Sequence, residues 1–192
     1  ITDYSQPILF DGFMANRSKK KIWVMYAFKF ENETGSYIVP GRCAELDHNY
    51  GLTAFDFRCQ TVPNGTYKVY PIYRDMENGE WHYPSTNPKD GTPTIKVDVP
   101  VSYIYNAQDL VAYREQVEKG INGCAIIMND IDMSEVCGQA KGNWTPIGST
   151  AAPFKGRVIG NGHVISNLYI RNTKAYPGLF GAIGDGGYIT GI

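Results

Sequence analysis

Between Lys21 and Phe30 the chain alternates: Ile22, Val24, Tyr26, Phe28 and Phe30 are apolar at every second position, with Lys29 among the residues between them. A period of two places these five on one face of a pleated strand and Lys29 on the other, which predicts that the apolar face is core. Aromatic and β-branched runs bounded by turn residues predict further strands at 36–40, 52–60, 66–73 and 94–99, with Pro63, Asn64 and Gly65 turning the chain between two of them. An opening segment near 8–10 and a weak strand at 80–83 bring the number to about seven before residue 100. Strands this short, with turns every 8–12 residues, predict an immunoglobulin- or fibronectin III-like β-sandwich over 1–100. The usual Cys-Trp-Cys spacing of immunoglobulin domains is absent, so the expectation concerns architecture alone.

Pro100 closes that pattern. Asn106, Ala107, Gln108 and Asp109 then open the one convincing helix, capped by Asn106, with Leu110, Val111, Tyr113 and Val117 near helical spacing up to a stop at Gly120. Beyond it, short apolar strands such as 125–128 and 163–170 alternate with glycine-rich corners, and no βαβ rhythm appears. Such a pattern suits a stack of coils whose first core surface is covered by a cap, here the helix.

Composition narrows the functions. The chain has 192 residues, 43% of them hydrophobic, enough to bury substantial cores. Its 18 basic and 19 acidic residues nearly cancel, leaving no broad positive field to hold a nucleic acid. Apolar runs such as 125–128 fall far short of the roughly 20 residues that span a bilayer, so no membrane insertion is expected. Ile1 follows no starting Met and no basic-plus-apolar leader, and it reads as the start of a processed or excised chain. Cys43, Cys59, Cys124 and Cys137 allow one disulfide in each half but do not decide whether it forms. Without a C-x-x-C pair, and with His48, His82 and His163 far from the cysteines, no metal site is expected. The sequons at Asn16, Asn32, Asn64 and Asn143 would matter only in a eukaryotic secretory route.

The second half carries an ordered series: Asp130-Ile-Asp-Met133, Trp144-Thr-Pro-Ile-Gly148, Phe154-Lys-Gly156, Gly160-Asn-Gly-His163, Ile165-Ser-Asn-Leu168 and Gly178-Leu-Phe-Gly181. Over about 103–192 it resembles the GLUG-motif family, repeats of bacterial adhesin-like surface proteins and of some secreted immunoglobulin A peptidases. The resemblance implies a helix-capped start of a right-handed β-helix over 101–192, on a surface-exposed, Bacteroidetes-like bacterial protein that continues past Ile192. It implies no catalytic residue and no cofactor. More loosely, Val62-Pro-Asn-Gly-Thr-Tyr-Lys-Val-Tyr-Pro-Ile-Tyr-Arg74 is similar to a hairpin of the β-sandwich domains in secreted streptopain-type peptidases.

Few residues point to chemistry. Gly160-Asn-Gly162 lacks the third glycine and the helix start of a phosphate loop, and is expected at a corner of the stack. Asp130 and Asp132 are spaced as a calcium pair would be, yet near a turn they are expected to be solvated carboxylates. Cys43 and His48 lack the elbow of a nucleophile, and His163 is expected to make a structural hydrogen bond. Trp81, His82 and Tyr83, between Asn78-Gly79 and Pro84, form the candidate binding cluster, because exposed aromatics stack on sugar rings or anchor a protein partner. The predicted protein is therefore all-β, non-catalytic and without cofactor, at the outer cell surface or secreted. It acts as an adhesin-like binder of host protein or glycan or as a spacer; the alternative is an accessory region of a secreted peptidase. The apolar edge at 183–192 is a candidate for self-association.

Overall fold

The computed structural model describes residues 1–15, 20–46, 51–83, 93–171 and 176–192, and the side chains of these except at 10–15 and 51–55. The described residues are mostly β-sheet with a single α-helix, and no helix among them is long and apolar enough to cross a membrane. Two compact units divide the chain: Ile1 with Gln6–Val97, and Thr2–Ser5 with Asp98–Ile192.

The described residues of the first unit form seven strands: β1 (Ile8–Ala15), β2 (Ile22–Asn32), β3 (Gly35–Leu46), β4 (Gly51–Phe57), β5 (Gly65–Asp75), β6 (Trp81–His82) and β7 (Thr94–Val97). β1 and β4 pair antiparallel; the other five form one sheet in the order β3-β2-β5, with both β6 and β7 on the far side of β5. Alternation along β2 does what its period requires. Val24, Tyr26, Phe28 and Phe30 are all buried, and Phe57 of β4 stacks on Phe28 with ring centroids 4.0 Å apart. β3 runs beyond the expected 36–40 because a bulge between Met25 and Ala27 sets Met25 opposite Cys43 and Ala27 opposite Pro40. A bulge is where a strand tolerates proline, which has no N–H to give the ladder.

The second unit begins with β8 (Val101–Ile104) and α1 (Ala107–Glu118). Asn106 caps α1 by accepting from Asp109 N at 3.0 Å, while the Asp109 carboxylate accepts from Tyr105 N at 2.9 Å, a reciprocal closure of the first turn. Ala107, Leu110, Tyr113 and Val117 are its buried stripe, and Gly120, at φ +83°, takes the left-handed conformation that ends it. β9 (Cys124–Ile127), β11 (Arg157–Ile159) and β13 (Tyr188–Thr190) then join β8 in a parallel sheet of order β13-β11-β9-β8. β10 (Ile131–Asp132) and β12 (Ile165–Ser166) pair in parallel on a second side, and single parallel bridges tie Ile147 to Phe180 and Phe154 to Ile183 on a third. Successive passes of the chain thus lie in register as layers. Side-chain hydrogen bonds between layers join residues 28–35 positions apart, as from Asn143 to Arg171 O, from Lys155 N to Asn122, from Asn161 to Ile127 O and from Asn167 to Asp132.

Only 165–166 of the expected strand at 163–170 is strand, because Asn167, at φ +56°, turns the chain away. The core between the layers is Ile104, Leu110, Ile127, Ile131, Met133, Trp144, Ile147, Phe154 and Val158. At the last layer, Ile183 and Ile192 remain 54% and 50% exposed.

Residues 2–5 have no sequence signal that ties them to the second unit, yet they complete it. Tyr4 N donates to Asn122 O at 3.1 Å, Asn122 N donates to the Asp3 carboxylate at 3.1 Å, and Tyr4 is only 1% exposed. Truncating a large buried aromatic to alanine costs about 3–5 kcal/mol. Tyr4→Ala is therefore expected to lower the urea midpoint of the second unit's unfolding while spectroscopic probes in the first unit keep theirs. Gly156→Ala should also destabilise the second unit, by about 1–3 kcal/mol, since a Cβ there would stand 2.6 Å from Gly123 O. An unchanged midpoint for Gly156→Ala would mean the layers are not packed this closely.

Candidate binding face

One side of the five-stranded sheet is core; the side chains pointing the other way carry the exposed chemistry of the first unit. Lys29 and Glu31 of β2 face that way, as do Lys68, Tyr70 and Arg74 of β5; the same face also holds Ala27 and Ile72, which pair with each other and are buried between Lys29–Tyr70 and Arg74. Register then brings partners together. Lys29 lies opposite Tyr70, and Arg74 opposite Trp81. The Arg74 guanidinium is 6.0 Å from the centre of the Trp81 ring, and Lys29 Nζ is 5.7 Å from that of Tyr83, both within cation–π range. Lys29 also donates to Glu31 Oε1 at 2.6 Å, and this hydrogen bond holds its ammonium above the usual lysine range. Tyr83 is 57% exposed.

The strip continues into an open cleft of about 660 Å³ whose walls include Glu31, Glu33, Thr66, Lys68, Tyr70 and Thr94. His82 belongs to the other side, where its ring stacks on Tyr73 at 4.7 Å and 14°. Of the three aromatic residues predicted as a cluster, Trp81 and Tyr83 therefore share a face and His82 does not. Lys29, Glu31 and Arg74 were missed in the sequence; the alternation of β2 was the available signal for Lys29 and Glu31, whereas in β5 the buried phase shifts at Ile72 and Arg74 is placed only by its register opposite Trp81.

The other candidates resolve into structure. Asp130 accepts from Val164 N at 3.0 Å and from His163 Nδ1 at 3.1 Å, and Asp132 accepts from Asn167 at 2.9 Å and from Ser134 N at 2.9 Å. These bonds hold both carboxyls below their usual range, the Val164 amide contributing most at Asp130 and the Asn167 amide most at Asp132. No group of three metal-ligating side chains occurs among the described residues. The amides of Gly160 and Gly162 donate to Thr190 O and Gly191 O at 2.7 and 2.8 Å, so the glycine pair serves the adjacent layer rather than an anion. Asn143 is likewise engaged, exchanging two 2.8 Å bonds with the backbone of Arg171.

All four cysteines are free; Cys43 is exposed and the other three are buried. Burial pushes the Cys59 thiol up to about 11 and raises Cys124 as well, so both stay protonated and unreactive at neutral pH. His48 and Asn16 lie outside the described residues.

No protein-family model matches the chain, and no solved structure matches it. Over 67 residues, 34% of this chain, it is 36% identical to a protein of Evansella cellulosilytica named "Putative Gly-rich membrane protein", and the match spans 8% of that protein's length.

A carboxyl whose folded-state pKa is depressed stabilises the fold above its unfolded value, near 3.9 for aspartate, and this contribution disappears as pH falls through the folded value. Asp130→Asn and Asp132→Asn should therefore lower the melting temperature of the second unit at pH 6 while narrowing its gap to the parent chain below about pH 4. Thermal scans across pH 2–7 check this; a gap that stays constant with pH would remove the carboxylates from the account.

Proposed function

We propose that this chain is a non-catalytic, adhesin-like module that binds glycan through the outer face of its first unit, on the cell surface or in a secreted protein. The observation that carries the reading is the strip of Trp81, Tyr83 and Tyr70 set among Lys29, Glu31, Lys68 and Arg74, which opens into the threonine-lined cleft. Flat rings offer stacking area to the C–H faces of sugars at small entropic cost. Around them, the Lys29–Glu31 pair, Arg74 held on Gly79 O, Lys68 and the cleft's threonine hydroxyls supply hydrogen bonds, and no acid–base pair of the kind that glycoside cleavage needs is evident among these residues.

In this reading the first unit is an immunoglobulin-like β-sandwich. The second is the start of a right-handed β-helix of the GLUG type, with α1 as its cap. Three sets of parallel pairings, repeated at intervals of about one layer, support the β-helix, and the right-handed rule for parallel crossovers supplies its hand. The layered unit then serves as a stiff spacer.

A glycan array probed with the whole chain tests the proposal. Trp81→Ala and Tyr83→Ala are each expected to weaken binding by about tenfold, close to 1.4 kcal/mol, and a panel of hydrolase and lyase substrates is expected to show no turnover. Retention of full binding by the Trp81→Ala, Tyr83→Ala double variant would remove this face from the account, and any turnover would end the non-catalytic reading.

A further inference from the structure

We infer that the second unit holds a sugar site of its own, selective for neutral glycans, in a cleft of about 440 Å³ walled by Glu118, Thr145, Ser149, Thr150, Tyr176 and Gly181. Its size falls in the range of about 300–1,000 Å³ typical of small-molecule sites. The inference rests on residues separate from those of the first-unit face and stands whether or not that face binds.

Four observations converge on a neutral polyol. The first is Tyr176, which is 60% exposed and held at φ +43°. The left-handed region is costly for a bulky residue, and more so directly before a proline, here Pro177. Strain of this kind persists where surrounding structure enforces it and marks sites of function. Burial of the ring does not repay it, because the ring faces solvent, where it offers a stacking surface over the cleft.

The second is the supply of hydroxyls. Ser149 Oγ accepts from Ala152 N at 3.1 Å, which fixes the oxygen and leaves its proton to donate. The Thr145 and Thr150 hydroxyls make no side-chain hydrogen bond among the described residues, and both side chains are exposed.

The third is charge. Among the described wall residues Glu118 is the one that ionises, and Arg114 Nε stands 3.5 Å from its carboxylate, so this wall accepts hydrogen bonds without a strong field. No cation among the described residues lines the cleft to hold a sulfate, phosphate or uronate, and the carboxylate disfavours them.

The fourth is rigidity. Ile147 N donates to Leu179 O, and Gly181 N to Ile147 O, both at 2.9 Å. A Cβ on Gly148 would meet Ala182 O at 2.5 Å. The floor is therefore backbone locked between two layers, a fixed base for the walls of the cleft.

The test is amide NMR on the whole chain, titrated separately with cellotriose, mannotriose and chitotriose and with a trisaccharide bearing sulfates. At least one neutral trisaccharide is expected to shift Thr145, Ser149, Thr150 and Tyr176 saturably, with the sulfated one at least tenfold weaker. Tyr176→Ala and Thr150→Val, both at exposed positions, should each reduce that affinity at least tenfold while the remaining spectrum keeps its dispersion. Trp81→Ala should leave these shifts intact, which separates this site from the first-unit face. The inference is overturned if no neutral trisaccharide moves these resonances, if Tyr176→Ala binds as the parent chain does, or if the sulfated sugar binds more tightly.

Discussion

Layers of the second unit meet through parallel backbone hydrogen bonds, and at Gly123, Gly156 and Gly181 a carbonyl oxygen of the neighbouring layer stands where a side chain would begin. Nearly everything else in that unit follows from this spacing. Because the main chains approach so closely, strands as short as two or three residues suffice to keep register, and the apolar side chains of the layers form one buried cluster. Gly160 obeys the same constraint against Gly191 O, which is why it is glycine although it needs no unusual backbone angle.

Polar groups divide between the units according to this architecture. In the layered unit Asp130, Asp132, Asn143, Asn161 and Asn167 are spent on backbone or side chains of an adjacent layer, since every corner leaves amides and carbonyls that need partners. In the first unit the antiparallel ladders pair strand with strand, and Lys29, Glu31, Lys68 and Arg74 of β2 and β5 are left to decorate one face around the buried Ala27–Ile72 pair. Hence a carboxylate pair that looks chemical in the sequence is structural, whereas lysines and a glutamate that look ordinary flank the aromatic strip.

What could be read beforehand depended on how local its cause was. The buried face of β2 was legible because strict alternation has one physical solution, and α1 was legible because Asn106 and Gly120 mark its ends. β3 ran long because its bulge at Pro40 comes from pairing with β2, which no local pattern announces. Trp81 and Tyr83 stood out as aromatic, but their separation from His82 required the register of β6 on β5. The cleft beside Tyr176 left no trace, since its walls come from segments near 118, 145–152 and 176–181 that only stacking brings together.

The joining of Asp3 and Tyr4 to Asn122 spans 119 positions, and this makes the first unit an insertion within the second. During translation at about 5–20 residues per second, those two residues emerge roughly 6–24 s before their partner. Strands β1 to β7 are made within that interval and can pair at once, so the closing of Tyr4 into its place is a late event of long sequence reach, the kind of contact that slows a fold.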